Sequence, residues 1–509
     1  MLKFVAMGIL APLAASCSLG LPERQECSTD SECTEAFGPG HSCGSGGFCE
    51  GPGACSDNSE CRERLGFGYV CGEERACEFV TPNPRCTRTL PERLFQPDEF
   101  KDAIVFGSIV ERNFEGDAVL EHAAELAVSE ANDGDGLDGR PIGMVFCTDE
   151  ANPEFDSLIP DDGESDVAVA EFLVDALGVQ AIFGPTTSGR TEAVFEAIRD
   201  SAPVLITPSA TSPGLTALDN STPTDDDPGL LWRTVPPDSL QGQTMALDMR
   251  DRGVESVAVI VETGTYGDGL AAVFATAFTE MGGTIEGEIL SFATPSAMSS
   301  AIVTAGNSAA TEVLFISGLI EDERSFLNAA GSQPGYETKS IFLSDTAATL
   351  DLFVDTPEEL FPRIRLTRPA VGSGSIYDLF IAAYSSRYPG ENPRQFGFLA
   401  QAYDAAWMIM YGAAWASAQD ESVTGVGIAR GLRRLSEGAE VPVRGSSWAT
   451  VLGAFREGSS IDIVGASGAL DYSPETEETE AGIEVVAVAE CEGEWLFVLV
   501  EPGDPPACS

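Results

Sequence analysis

The sequence predicts an α/β protein of two doubly wound, Rossmann-like lobes joined at a hinge and preceded by a small disulfide-rich segment. Three observations predict it. From Phe100 onward, short β-branched runs alternate with stretches of helical period, the pattern of parallel strands covered by helices. That alternation pauses at a bridge, Leu231–Pro237, and then restarts. Ahead of it, cysteines recur at fixed spacing in a segment poor in aliphatic residues. At 509 residues the chain is too long for one core.

The N-terminus, MLKFVAMGILAPLAASC, has one Lys, an apolar run and then small residues. That is the order of a secretory signal, placed at residues 1–16. Leu13-Ala14-Ala15-Ser16-Cys17 resembles the bacterial lipobox, which implies a diacylated Cys17 as first mature residue. Setting Cys17 aside from 13 cysteines leaves an even number to pair. No later apolar run reaches the ~18 residues of a membrane span, so the expected attachment is by lipid alone.

Residues 17–86 read as a stalk of two tandem repeats. Cys27, Cys33, Cys43 and Cys49 return 28 positions later as Cys55, Cys61, Cys71 and Cys77. Gly, Ser and Glu fill the gaps, so the segment needs disulfides as staples and an oxidising compartment to form them. Zinc sites want shorter Cys pairs than these. Each repeat allows three connectivities, and spacing does not choose among them. The repeats suit either a spacer or a docking module. Residues 87–99 carry prolines and no periodicity, and read as a linker.

The body then unfolds in order. Strand Ile104–Ile109 leads into helix Asp117–Ala131, with Leu120, Ala123, Ala124, Ala127 and Val128 on one stripe. Strand Ile142–Cys147 and helix Val167–Leu177 follow, then strand Val179–Phe183, a helix, and strand Val204–Thr207. After the bridge come strand Ser256–Val261, helix Gly269–Met281, strand Thr284–Leu290, helix Ser296–Asn307, strand Val313–Ser317, helix Glu323–Ala330 and strand Ser340–Leu343. Lobe one is expected at 100–235 and 346–460, lobe two at 236–345 and 461–509, with three crossings between them. Cys491 and Cys508 flank a last strand and a Pro-rich tail, which suits a local clasp. Cys86 would then pair with Cys147.

The strand–helix–strand unit over Val179–Pro213 ends both strands in hydroxyl-rich loops, Gly184-Pro185-Thr186-Thr187-Ser188-Gly189 and Pro208-Ser209-Ala210-Thr211-Ser212-Pro213. In a parallel unit both loops lie at the carboxyl edge of the sheet, where open α/β folds bind ligands. Hydroxyls and free N–H groups at a helix N-terminus suit a small carboxylate, and they also suit helix capping. The net charge of −53 would repel nucleic acid and anionic membrane surfaces. His41 and His122 are the only histidines, and no GxSxG elbow or P-loop occurs, which argues against an enzyme. Asn132–Asp138 hints at a Ca²⁺ loop but lacks the twelfth-position Glu, and reads as a turn. No metal or cofactor is expected.

From about residue 100 to 500 the chain resembles the type I periplasmic binding proteins, specifically the branched-chain amino-acid (Leu/Ile/Val) receptors of ABC importers. Seven stretches carry the resemblance in order. They are Ala131-Asn132 through Ile142, Gly184-Pro185 to Gly189, and Ser209-Ala210-Thr211. Trp232-Arg233-Thr234 with Asp238 to Gly242, and Tyr266-Gly267-Asp268-Gly269, follow. Gln401-Ala402-Tyr403-Asp404-Ala405 and Gly465 to Tyr472 complete the set. The resemblance implies a ligand carboxylate held by Ser188, with Thr187 beside it, and by Ser209, Ala210 and Thr211. It implies Tyr266 facing the cleft from lobe two, and Glu321 or Asp322 pairing with an α-ammonium. Arg112, Asn113 and Phe114 would contribute to the side-chain pocket, and Arg112 and Asn113 depart from the small polar residues usual there. The implied partners are a small amino-acid-like ligand and an ABC permease. The competing reading is a surface sensory or adhesive protein on the same fold.

Overall fold

The computed structural model describes residues 27–508 apart from 39–40, 52–54, 82, 87, 98–99, 111–114, 149–164, 221, 421 and 480. Residues 1–16, expected to be a signal, Cys17 and the Arg112–Phe114 stretch lie outside the described residues. Among the described residues, no helix is long and apolar enough to cross a membrane.

Each Cys repeat folds as one short helix and one short hairpin, Asp30–Phe37 with Ser42–Cys43 and Cys49–Glu50, then Asn58–Leu65 with Tyr69–Cys71 and Cys77–Phe79. Connectivity is the same in both: Cys27–Cys43 and Cys33–Cys49, then Cys55–Cys71 and Cys61–Cys77. Asp57 caps the second helix by accepting from the N–H groups of Ser59 and Glu60 at 2.9 and 3.1 Å.

The second repeat is built into lobe one. Phe67 and Val80 belong to the same buried cluster as Val105, Leu173 and Val194. The Arg62 guanidinium sits 4.6 Å from the centre of the Phe67 ring and donates to the Leu177 carbonyl. Burial pulls the Arg62 pKa down to about 10. The segment 87–99 is no linker either. Arg88–Leu90 pairs antiparallel with Ile142–Cys147, and Leu94 is fully buried. Three residues are too few to show alternation, so burial of Leu94 and the reach of Arg88 to Glu121 at 3.0 Å, and to Glu125, supply what periodicity did not. A Cys86–Cys147 disulfide closes this junction.

The lobe-one sheet orders its strands Leu231–Arg233, Val204–Thr207, Ala181–Phe183, Ile104–Ile109, Ile142–Cys147, Arg88–Leu90. All pairs are parallel except the last. The lobe-two sheet runs Thr284–Ile285, Ser256–Glu262, Glu312–Ile316, Ser340–Leu343, Ile364–Pro369, Ile483–Cys491, Glu494–Val500, with Leu290–Phe292 also on Ser256–Glu262. Its first strands are parallel, and the last two close it antiparallel. Cys491 is bonded to Cys508, fastening the tail to this hairpin.

These sheets move two boundaries. Residues 346–369, expected in lobe one, belong to lobe two, because Ile364–Pro369 pairs with Ser340–Leu343. Residues 461–472, expected in lobe two, belong to lobe one. There Ile461–Val464 pairs with Ala439–Pro442, and Ile463, Leu470 and Tyr472 enter the core around helix Leu399–Gln419. Sequence alternation marks strands but not their sheet. The crossings therefore fall near 235, 371 and 481, where the Ala370 N–H donates to the Gly482 carbonyl at 2.9 Å.

A buried ion cluster fixes the lobe-two helix Asp238–Asp251 to its sheet. Asp248 accepts from Arg252 at 2.8 Å and from Arg365 at 2.5 Å, and Arg252 also holds Glu312 at 2.7 Å.

Candidate functional site

The two hydroxyl-rich loops meet at the carboxyl edge of the lobe-one sheet. Gly184 ends the strand Ala181–Phe183 with φ +87°, and a Cβ there would lie 2.2 Å from the Ile109 carbonyl oxygen. Only glycine turns the first loop so close to its neighbouring strand. Thr207 ties the loops together, donating to the Pro185 carbonyl at 2.7 Å.

Both loops open onto an interlobe cleft of about 730 Å³. Thr187, Ser188, Ser209 and Thr211 line it from lobe one, Tyr266 and Glu321 from lobe two. Their hydroxyls already hold the loops in place. Ser188 Oγ accepts from the Ser212 N–H at 3.2 Å, and Ser209 Oγ donates to the Thr186 carbonyl at 2.7 Å. Thr211 Oγ1 donates to Asp238 Oδ2 at 3.0 Å. Thr187 is the N-cap of helix Ser188–Ile198. Thr187 makes no side-chain capping bond, whereas Ser212 Oγ of the second loop caps helix Pro213–Leu218 by accepting from the Gly214 N–H at 3.3 Å.

Two expected site residues stand apart. Ala210 is buried and spends its N–H on Thr207 Oγ1 at 3.1 Å, away from the cleft lining. Asp322 is half-buried and accepts from Ser317 Oγ at 3.3 Å, also away from the lining, where burial and the Glu262 charge push its pKa up. Glu321, one position earlier, is exposed on the cleft wall. A helix turns each successive side chain by about 100°, so adjacent acids at the start of helix Ile320–Ser332 face different ways.

The acid that sequence reasoning missed is Asp345. It lies just past strand Ser340–Leu343, at the carboxyl edge of the lobe-two sheet, and lines the cleft. The Tyr266 phenol donates to it, and so does Gln241 Nε2, at 3.0 Å. Tyr266 itself sits in the first turn of helix Thr265–Glu280. Burial raises the Asp345 pKa. Burial, with the Asp345 charge adding to it, raises that of Asp238 further. The available signal was position: a carboxylate immediately after a parallel strand. Ser212 Oγ donates to the Thr265 carbonyl at 2.8 Å, so the lobes touch.

A profile described as periplasmic binding protein matches residues 116–448, well over half of the chain. The chain belongs to the periplasmic binding protein family. Leu/Ile/Val-binding protein homolog 3 of Brucella melitensis is 31% identical over 209 residues, 40% of this chain and 50% of that relative. A chemotactic signal transduction substrate-binding protein, BasB of Halobacterium salinarum, is 30% identical over 158 residues, 30% of this chain and 35% of that relative. The chain thus spans half or less of the length of these curated relatives. Among solved structures, the branched-chain amino-acid transporter substrate-binding protein LivJ of Streptococcus pneumoniae, in complex with isoleucine, superposes with a TM-score of 0.55. That match has 20% identity and covers 79% of this chain and 100% of LivJ. The likeness establishes the type I two-lobed binding-protein fold, preceded here by the disulfide-paired repeats.

Proposed function

We infer that the protein is a lipid-anchored, extracytoplasmic solute-binding protein. It closes its two lobes on a small amino-acid-like ligand and presents that ligand to an ABC permease. The supporting observation is the division of polar groups across one cleft. Ser188, whose Oγ only accepts and so keeps its proton, lines the lobe-one wall with Ser209 and Thr211, and Asp345, aligned by Tyr266 and Gln241, faces them from lobe two. An amino acid brings a carboxylate for the first set and an ammonium for the second. An ammonium also answers the electrostatics of Asp345 and Asp238, two buried carboxylates whose charged forms are otherwise disfavoured. Asp345 takes the role expected of Glu321 or Asp322.

Three crossing segments near 235, 371 and 481 form a hinge about which the lobes would close. A thermal-shift and calorimetric screen of amino acids tests the reading, since a ligand at 100 times Kd stabilises by about 2.7 kcal/mol. No stabilisation by any α-amino acid would overturn it. The chemotaxis relative favours a second reading, in which the same closed form signals instead of delivering cargo. Ligand-dependent cross-linking to a permease, against cross-linking to a transducer, separates the two.

A further inference from the structure

The cleft lining carries a charge that is scarce in this molecule. Lys and Arg total 28 against 81 Asp and Glu. Three arginines nonetheless line the cleft: Arg324, Arg368 and Arg394. They come from both lobes. Arg324 stands on helix Ile320–Ser332 and Arg368 on strand Ile364–Pro369 of lobe two, and Arg394 stands on the turn Pro393–Gln395 of lobe one.

Arg368 and Arg394 converge on Tyr377. The Arg394 guanidinium lies 5.2 Å from the centre of that ring. Burial raises the Tyr377 pKa, and both cations act against it. Neither arginine is used up. Arg368 gives Nε to Glu484 at 3.0 Å, and Arg394 gives Nη2 to Asp378 at 3.0 Å in a pair exposed to solvent. A guanidinium has five N–H donors, so most of each fork stays available. Two guanidinium groups facing one ring, each with unspent N–H donors, favour an anion placed between them. The same lining carries apolar side chains as well, Leu350, Val371 and Phe396 among them. Phe398 of the same loop is held at φ +60°, a left-handed conformation rare for a bulky side chain and found where surroundings over-determine it. At about 730 Å³ the cleft is in the range of sites for ligands larger than a branched-chain amino acid.

We propose that the ligand is an amino acid whose side chain ends in a carboxylate beyond an apolar spacer, with that carboxylate bound between Arg368 and Arg394 beside Tyr377. This rests on the amino-acid reading for the head group at Ser188, Thr211 and Asp345.

Calorimetry on the mature chain at low salt tests it with two matched pairs. The first is 4-carboxy-L-phenylalanine and L-phenylalanine; the second is 3-(4-carboxyphenyl)propionate and 3-phenylpropionate. The acidic member is expected to bind roughly tenfold or more tightly than its neutral partner. Arg394→Gln, on an exposed turn, should erase most of that gain and leave the neutral member unchanged; Arg368→Gln should do the same. Equal binding within pairs, a gain that survives Arg394→Gln, or no binding by either acidic probe overturns the subsite. Tight binding of the dicarboxylate lacking an ammonium, with neither amino acid bound, supports the subsite and refutes the amino-acid head group. Binding of L-phenylalanine and L-leucine with no gain from the added carboxylate does the reverse.

Discussion

The phenol of Tyr266 donates to the carboxylate of Asp345, joining the first turn of one lobe-two helix to the end of a lobe-two strand. Gln241 donates to the same oxygen, so the acid is held from two sides and its position in the cleft is fixed before any ligand arrives. Asp322, by contrast, spends its carboxylate on Ser317.

Asp345→Ala is therefore expected to remove binding of any ligand bearing an ammonium, at a cost of about 3–5 kcal/mol, the usual penalty for stripping one partner from a buried ion pair. Asp322→Ala should leave affinity nearly unchanged. Thr211→Ala should cost about 1–2 kcal/mol, because the loop loses the hydroxyl that anchors it to Asp238 at 3.0 Å. Calorimetry on the three variants, with melts to confirm folding, decides the order. Wild-type affinity in Asp345→Ala would remove this acid from the site.

The two-lobed fold was legible because the central strands of the alternating runs are short, buried and apolar, as in Val313–Ile316 and Val204–Thr207. The two cleft loops were legible because hydroxyls crowd the ends of adjacent strands. Three features were not legible, for physical reasons. Sheet membership of Ile364–Pro369 depends on a neighbour distant in sequence, and local pattern carries no trace of it. Asp345 sits alone after its strand, and its partners Tyr266 and Gln241 lie 79 and 104 positions away. Phe67 and Leu94 are single apolar residues in polar, Pro-rich text, so their burial in lobe one has no periodicity to announce it.

That docking gives a second expectation. Phe67 is 3% exposed, beneath Arg62 and within the lobe-one cluster. Phe67→Ala should destabilise lobe one by about 3–5 kcal/mol. Phe48, 51% exposed in the first repeat, should tolerate Ala within about 0.5 kcal/mol. Chemical denaturation followed by near-ultraviolet signals of lobe one checks both. An unchanged midpoint in Phe67→Ala would show the second repeat to be an independent spacer.

Asp248 supplies a third. Its side chain is fully buried between Arg252 and Arg365 and also accepts from the Gly503 N–H at 3.0 Å. Asp248→Ala leaves both arginines under-neutralised and should cost about 3–5 kcal/mol. The C-terminal tail should loosen first, seen as faster hydrogen exchange around 503 than in the Ser256–Glu262 strand.

Lipidation at Cys17 is tested on the full-length chain. Labelled fatty acid should enter the wild type and not Cys17→Ser, and the variant should leave the membrane fraction. A single acyl chain holds proteins only marginally and two hold them firmly, so a diacylated Cys17 should resist salt washing. Release by salt alone would point to electrostatic attachment, which a net charge of −53 already disfavours on anionic lipid.

Buried acids set the last expectation, the pH dependence of stability. Asp404 is fully buried in lobe one, and burial raises its pKa to about 6 despite hydrogen bonds from Ala466 N, Ser467 N and Ser467 Oγ. Asp238 and Glu323 are shifted in the same direction, again chiefly by burial. An acid with a raised folded-state pKa binds its proton more tightly when folded. Its stabilising share is complete below the unfolded pKa and is lost as pH rises through the folded one. For Asp404 that window is roughly pH 4–6, and the loss across it is about 3 kcal/mol. Repulsion among the 81 acidic residues changes in the same sense. The melting temperature should therefore climb as pH falls from 8 toward 5. Below about pH 4 it should drop, as exposed acids held low by hydrogen bonds or arginines, Asp57 and Asp225 among them, take up protons. Salt suppresses the surface part of the climb and leaves the buried part. Asp404→Asn, whatever its absolute melting temperature, should flatten the slope between about pH 4 and 6 at high salt; an unchanged slope would mean that Asp404 titrates like an exposed carboxylate.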